Sequence, residues 1–220
     1  MTQDNKRTAL VLGSSRGVGA AIAHELRDAG LSAPSISSKE IDTSNADSVA
    51  AFIKAHPSTD VLVLNTGGPP KKDFFEITAE EWTRYHQQLF VSFASLLQHI
   101  EVRDGGYIFL ISSHLVSEPT EKMILSVSYR VASWAMLKAL SKRFAERQIS
   151  CINIALGPIL TDRLRNLTSD LQKLEERLPL KRAGKPEEVG KFVRSIVEHD
   201  IKYLTGVSLN FDGGLSNYLL

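Results

Sequence analysis

The sequence predicts an α/β protein built on a doubly wound parallel sheet with helices on both faces. Three observations predict it. Short apolar runs alternate with longer amphipathic stretches along the chain. The short runs are continuously apolar, as strands are when helices cover both sheet faces. A glycine-rich turn joins the first such run to the first amphipathic stretch, at the point where a doubly wound sheet places a ligand.

Each element follows from its local pattern. Residues 8–12 (Thr8-Ala9-Leu10-Val11-Leu12) form a buried strand, and 17–29 a helix that Gly30 ends. A short strand over 33–37 and a helix over 47–55 come next. Val61-Leu62-Val63-Leu64 is the third strand, followed by one long helix over 79–99. Tyr107 to Ile111 is a strand, 124–146 a helix, 149–156 a strand, 186–197 a helix and 206–211 the last strand. There is no internal repeat, low-complexity stretch or linker, so residues 1–220 are expected to form one domain.

Bulk properties exclude several classes. Lys and Arg number 26 against 25 Asp and Glu, so no basic field points to nucleic acid or an anionic membrane. The lone cysteine, Cys151, rules out a disulfide framework and a Cys-rich metal site, so no metal is expected. It sits in the apolar run Cys151-Ile152-Asn153-Ile154-Ala155 and reads as a buried structural thiol. No apolar stretch approaches the roughly 18 residues of a membrane span. The polar start, Met1 to Arg7, does not read as a signal peptide. A cytoplasmic protein is expected.

The first strand empties into Gly13-Ser14-Ser15-Arg16-Gly17-Val18-Gly19. Glycines permit the tight turn, let the backbone approach a diphosphate and let the helix pack on the strand. The helix start then offers free N–H groups and a partial positive charge to phosphates. A tight turn alone would also need glycines, but its place after the first strand makes it read as a Rossmann-type dinucleotide site.

The spacing G-x-x-x-G-x-G, with motifs further along, resembles the short-chain dehydrogenase/reductase family, as a divergent member similar to the 3-oxoacyl reductase-like proteins within it. The resemblance spans nearly the whole chain. Asp42, with Thr43 beside it, is similar to the aspartate that meets the adenine. Leu64-Asn65-Thr66-Gly67 resembles the family's N-N-A-G strand end, and Ile111-Ser112-Ser113 the strand bearing the active-site serine. Gly157-Pro158-Ile159-Leu160-Thr161 matches the segment that holds the nicotinamide amide, with Leu156 where a proline is usual. Arg182 to Val189 and Leu204 to Gly214 match the late loop and the ending. The resemblance implies a cofactor site of Gly13, Ser15, Arg16, Gly17, Val18, Gly19, Ser37, Asp42, Thr43, Asn65, Thr66, Gly67, Arg130, Gly157, Ile159 and Thr161.

NADP(H) is favoured over NAD(H). Arg16 in the turn can reach a ribose 2′-phosphate, though it also reads as a solvated loop arginine. An NAD site needs a carboxylate about 20 residues past the turn, where this chain reads Ser35-Ile36-Ser37-Ser38-Lys39. Glu40 and Asp42 follow slightly later. The region is short, and a helix usual in the family is missing.

The resemblance implies hydride transfer between nicotinamide and a carbonyl or alcohol carbon. In the family a tyrosine moves the proton, its pKa lowered by a lysine four residues later, with a serine and an asparagine in support. Here the serine is Ser113, but the tyrosine position falls on Ser126, the lysine position on Arg130 and the asparagine position on Leu89. An aliphatic hydroxyl is a poor acid, and a permanently charged guanidinium holds oxyanions or ribose hydroxyls without relaying protons. Ser113, Ser126 and Arg130 remain the candidate catalytic set, able to polarise a carbonyl. Tyr129 and His114 are alternative proton carriers, but Tyr129 reads more readily as a core or subunit-interface residue, and strand alternation sets His114 on the opposite side from Ser113. Lys71 and Lys72 read either as attracting an anionic substrate group or as solvated.

Two function classes stay open. One is an NADP(H)-dependent carbonyl reductase or alcohol dehydrogenase, with a small-molecule carbonyl substrate such as a 3-oxoacyl thioester. The other is a catalytically silent dinucleotide-binding sensor or partner subunit; a non-redox elimination or isomerisation is a lesser third. The helix over 124–146 carries Trp134, Met136, Leu137 and Leu140, more apolar surface than one sheet face uses. The family resemblance, in which long central helices pair across a two-fold axis, implies a homodimer or homotetramer; the apolar tail Tyr218-Leu219-Leu220 offers another contact. Residues 162–180 are expected to supply a lid helix.

Overall fold

The computed structural model describes residues 6–219, so Met1 to Asn5 and Leu220 lie outside the described residues. Five parallel strands form one sheet in the order β1 (Ala9–Val11), β2 (Ser58–Leu64), β3 (Glu101–Ser113), β4 (Ser150–Leu156) and β5 (Val207–Phe211). Successive side chains of each strand point to opposite faces, and the core divides accordingly. Ala9, Val11, Val61, Val63, Phe109 and Ile154 face helices α1 (Gly17–Asp28) and α8 (Pro186–Glu198). Leu10, Leu62, Leu64, Ile108, Leu110 and Cys151 face α2 (Ala46–Ala55), α4 (Ser92–His99) and α5 (Ile124–Ala145). Cys151 is buried as its setting predicts, and burial pushes its thiol up to about 12.

The expected strand over 33–37 does not form. Ser32 alone bridges to Thr8, through Ala9 N–H to Ser32 O at 2.8 Å and Ser32 N–H to Arg7 O at 2.8 Å. Pro34 then removes the next donor that a ladder requires. The segment is held instead by Ser14, whose N–H donates to Ile36 O and whose Oγ accepts from Ile36 N–H. The chain therefore leaves β1 toward one edge and returns across it to β2, which opens a crevice at the carboxyl ends of those two strands.

The single long helix expected over 79–99 is three pieces. The first, α3 (Ala79–His86), starts at a Thr78–Glu81 capping box. A π-helical turn over Gln87–Val91 follows, and α4 completes the run. The extra residue of a π turn rotates everything before it, a device frequent at functional sites. Leu89 faces the core with no exposure, while Gln88 swings toward the sheet's carboxyl edge. Its Nε2 donates to Gly67 O at 3.0 Å and to Thr66 Oγ1 at 3.4 Å.

The lid region is likewise two short helices, α6 (Asp162–Leu167) and α7 (Leu171–Arg177), instead of one. On α5, Leu137 is fully buried while Trp134, Met136 and Leu140 pack partly against their own sheet. Less of that apolar surface is left for a partner than the sequence suggested. Among the described residues no helix is long and apolar enough to cross a membrane.

Two substitutions test this packing. A Cβ at Gly190 would lie 2.6 Å from Ala21 O, where α8 crosses α1. Gly190→Ala is expected to cost about 1–3 kcal/mol in denaturant unfolding; an unchanged midpoint would show the crossing to be looser. Ser133 Oγ donates to Leu89 O at 2.6 Å within the π turn, fully buried. Ser133→Ala removes that buried hydrogen bond and should lower stability by about 1 kcal/mol, whereas Ser128→Ala on the exposed face of α5 should not.

Candidate functional site

The ends of β1, β2, β3 and β4 all lie along the crevice. At the end of β1 the chain turns through Gly13 and Gly17, whose φ values of +63° and +57° are left-handed and favour glycine. Gly19 has no room for any side chain, since a Cβ there would lie 2.3 Å from Gly13 O and 2.8 Å from Asn65 Nδ2. Asn65 in turn donates from Nδ2 to Leu12 O at 2.9 Å, which ties the end of β2 to the end of β1. The first turn of α1 has no side-chain cap, and its N-cap residue, Arg16, is exposed. Free N–H groups at this helix start suit a phosphate.

A cavity of about 830 Å³ runs from this turn past Ser37, Asp42 and Thr43 to Asn65, Thr66 and Gly67, and ends at Thr161. Ser15, Arg16, Val18 and Gly19 also line it. A second cavity of about 320 Å³ adjoins it, and Val18, Asn65, Thr66 and Thr161 border both. Gly157, Ile159 and Arg130 line the second, together with Ser113 and Ser126. Every cofactor residue expected from sequence therefore borders one of two joined spaces, and the three candidate catalytic groups share one wall.

Local structure holds these groups in place. Thr43 Oγ1 and Thr66 Oγ1 are 2.9 Å apart, linking the α2 side of the crevice to the end of β2. Asp42 does not point freely at the cavity, since its Oδ1 accepts from Ser44 N–H and Ser44 Oγ. Glu40 clasps Ser37, accepting from its N–H at 2.7 Å and its hydroxyl at 2.5 Å. The Ser37 hydroxyl holds that carboxylate below the usual carboxylate range. Beyond β4, Leu160 N–H donates to Gly184 O and Gly184 N–H to Pro158 O, pinning the segment that carries Ile159. Thr161 caps α6 through its hydroxyl.

Ser126 and Arg130 are one helical turn apart on α5, and Arg130 Nε donates to Ser126 Oγ at 3.2 Å. Arg130 also donates to Ile111 O at 2.9 Å and Thr66 O at 3.4 Å, bridging β3 and the loop after β2. Burial first, and the charge of Arg163 second, bring its pKa down to about 10. It remains a cation at neutral pH. The alternative proton carriers separate. Tyr129 turns away, donating to Trp82 O at 3.0 Å and packing edge-on to Trp82. His114 does border the second cavity, because β3 ends at Ser113 and a 3₁₀ turn begins with His114. Strand alternation, which set the two on opposite sides, stops one residue too early. Its Nδ1 lies 3.1 Å from Leu156 O. Lys71 borders the second cavity, while Lys72 pairs with Glu81 at 2.6 Å.

Two groups escape the sequence reading. Gln88 reaches the first cavity only because of the π turn, which no periodicity announces. Arg163, on α6, donates to Gly68 O at 2.8 Å and Pro69 O at 3.0 Å and borders both cavities. Its sole signal is a basic residue in the first turn of a helix, where the dipole disfavours it.

Comparisons with known proteins agree with this architecture. A family model described as enoyl-(acyl carrier protein) reductase matches residues 35–216. The chain is 27% identical to the NADPH-dependent reductase BacG of Bacillus subtilis, over 96% of this chain and 98% of that protein. It is 28% identical to a 3-oxoacyl-[acyl-carrier-protein] reductase of Chlamydia trachomatis, over 96% and 97%. Among solved structures it superposes on a blue fluorescent protein from a metagenomic library in complex with NADPH. That match has a TM-score of 0.86 at 24% identity, covering 97% of this chain and 99% of the other, a likeness of fold. With glycine turn, parallel sheet and strand-end residues in the family's order, the chain belongs to the short-chain dehydrogenase/reductase family of NAD(P)-dependent oxidoreductases.

Proposed function

We propose that this chain is an NADP(H)-dependent carbonyl reductase or alcohol dehydrogenase that polarises its substrate without the usual tyrosine–lysine pair. The observation that carries the reading is the Ser126–Arg130 contact, set in a cavity that opens onto the glycine turn. The residues present fit a dinucleotide. A turn that excludes Cβ atoms, an uncapped helix start and an exposed arginine suit its phosphates. Gly13, Ser15, Arg16, Gly17, Val18 and Gly19 would hold the phosphate end, with Ser37, Asp42 and Thr43 around the adenosine. Asn65, Thr66, Gly67, Gly157, Ile159, Thr161 and Arg130 would hold the nicotinamide end.

When bound there in reduced form, NADPH supplies hydride. The chain's own work is electrostatic. Ser113, Ser126 and Arg130 donate toward the carbonyl oxygen, and fixed donors of this kind stabilise the negative charge that develops there. Because Arg130 stays charged at neutral pH and Ser126 is a weak acid, water supplies the proton that the product oxygen needs. The names of the matched family and relatives support an acyl or other small carbonyl compound as substrate. The charge balance and the lone buried cysteine support a cytoplasmic place, and one domain over 1–220 carries both sites.

A silent sensor or partner subunit is the competing reading, motivated by the replaced tyrosine and lysine positions. Fluorescence titration decides the first step: NADPH should bind more tightly than NADH. Arg16→Ala should weaken NADPH about tenfold, the scale of a lost charge-assisted contact, and barely change NADH. Glu40→Gln should favour NADPH further, since it removes a carboxylate and releases the Ser37 hydroxyl. Equal affinities indifferent to Arg16 would overturn the NADP assignment. Tight binding with no NADPH oxidation across a carbonyl panel would leave the silent reading. Light scattering at micromolar concentration should show a homodimer or homotetramer, and a monomer would refute the assembly.

A further inference from the structure

Two guanidinium groups meet over Gly68 with no carboxylate between them. A Cβ at Gly68 would lie 3.0 Å from Arg163 Nη2, 3.3 Å from Arg130 Nη2 and 3.4 Å from Ser126 Oγ. Arg130 comes from α5 and Arg163 from α6, so separate parts of the chain bring like charges to one point. Both donate only to neutral groups: Arg130 to Ser126 Oγ, Ile111 O and Thr66 O, Arg163 to Gly68 O and Pro69 O. A guanidinium has five N–H donors, so each keeps some unspent. Among the described residues neither forms an ion pair.

The surroundings add positive charge and no negative charge. Lys71 borders the same cavity, no aspartate or glutamate among the described residues lines it, and burial lowers the pKa of both arginines. The buried hydroxyl of Ser112, also in the wall, has no hydrogen-bond partner. Partly desolvated cations at close range are unfavourable unless a counter-charge arrives. At about 320 Å³ the space is at the small end for ligand cavities.

We propose that the substrate is a small anionic carbonyl compound, its carboxylate or phosphate gripped by Arg130 and Arg163. This rests on the reductase reading of the same site and names its substrate class. The carbonyl carbon gains the hydride and its electron pair from the reduced nicotinamide, and the C=O π bond opens onto oxygen. Water then gives that oxygen its proton, so the carbonyl is reduced to a hydroxyl and the nicotinamide is oxidised. The neutral acyl end of a 3-oxo thioester leaves both arginines unanswered.

Calorimetry on the full chain, with and without NADPH, tests this using phenylpyruvate, its methyl ester and dihydroxyacetone phosphate. At least one anion should bind, and if it is phenylpyruvate, the uncharged ester should bind at least tenfold more weakly. Whichever anion wins distinguishes a carboxylate from a phosphate. Arg163→Gln should weaken that anion about tenfold, with Arg163→Lys recovering part of the loss. Lys71→Gln, which leaves the Arg163 contacts to Gly68 and Pro69 intact, should weaken it by a smaller factor. Phenylpyruvate and ester binding equally with no binding of the phosphate, or neither anion binding a chain that binds NADPH, would overturn the proposal. So would Arg163→Gln weakening NADPH while sparing the anion. Anion binding without any NADPH binding would sink the reductase reading and leave the anion site standing.

Discussion

Where β1 gives way to α1, only a hydrogen atom fits between Gly19 and the carbonyl of Gly13, and the rest of the crevice is organised around that approach. Because α1 sits so close to the strand end, its first N–H groups lie at the sheet's carboxyl edge. Asn65 reaches across the same gap to Leu12 O and fixes the end of β2 beside it. Thr66 follows, and through it Thr43, Gln88 and Arg130 are tied to one short stretch of backbone. A residue larger than glycine at position 19 would push the helix outward, and every later contact would lose its reference point.

Charge is distributed unevenly along the joined cavities. At the glycine turn the positive potential is diffuse, coming from backbone N–H groups and an exposed Arg16, as suits a cofactor that must bind and leave. Around Gly68 it is concentrated in two guanidiniums that share little water. Desolvation lowers the pKa of Arg130, yet about 10 still leaves it cationic at any physiological pH. The α6 segment closes over this point: Arg163 fastens it to Gly68 and Pro69, and Lys71 Nζ returns a bond to Leu167 O at 2.6 Å. The lid and the loop after β2 are therefore coupled through the same cations that face the cavity, so binding an anion there would bear on closure as well as on affinity.

Most of the architecture was legible because it rests on local pattern. Continuous apolar runs such as Val61 to Leu64 mark doubly covered strands, and the glycine turn marks the first crossing. What failed depended on single residues with non-local effects. Pro34 turns a plausible strand into one bridge at Ser32, since a missing N–H outweighs the surrounding apolar residues. The π turn at Gln87–Val91 inserts one residue into an otherwise regular amphipathic run, so the family's asparagine position falls on the core residue Leu89 and Gln88 is missed. Arg163 was visible only as one basic residue among several, because its importance lies in meeting Arg130 from across the fold.

The replaced residues form a consistent set when read through charge. A tyrosine–lysine pair works by shifting a phenol's pKa, which requires the cation to stand near an acid able to give up its proton. Once the acid is an aliphatic serine, that purpose is gone, and a lysine there would be a desolvated amine prone to lose its own proton. A guanidinium keeps its charge under the same burial, and its planar fork spans Ser126, Ile111 O and Thr66 O at once. On the proposed function, the site thereby exchanges proton delivery for a fixed field. Such a field favours a substrate that already carries negative charge, because the anion answers the two arginines in the ground state and the developing oxyanion adds to it in the transition state.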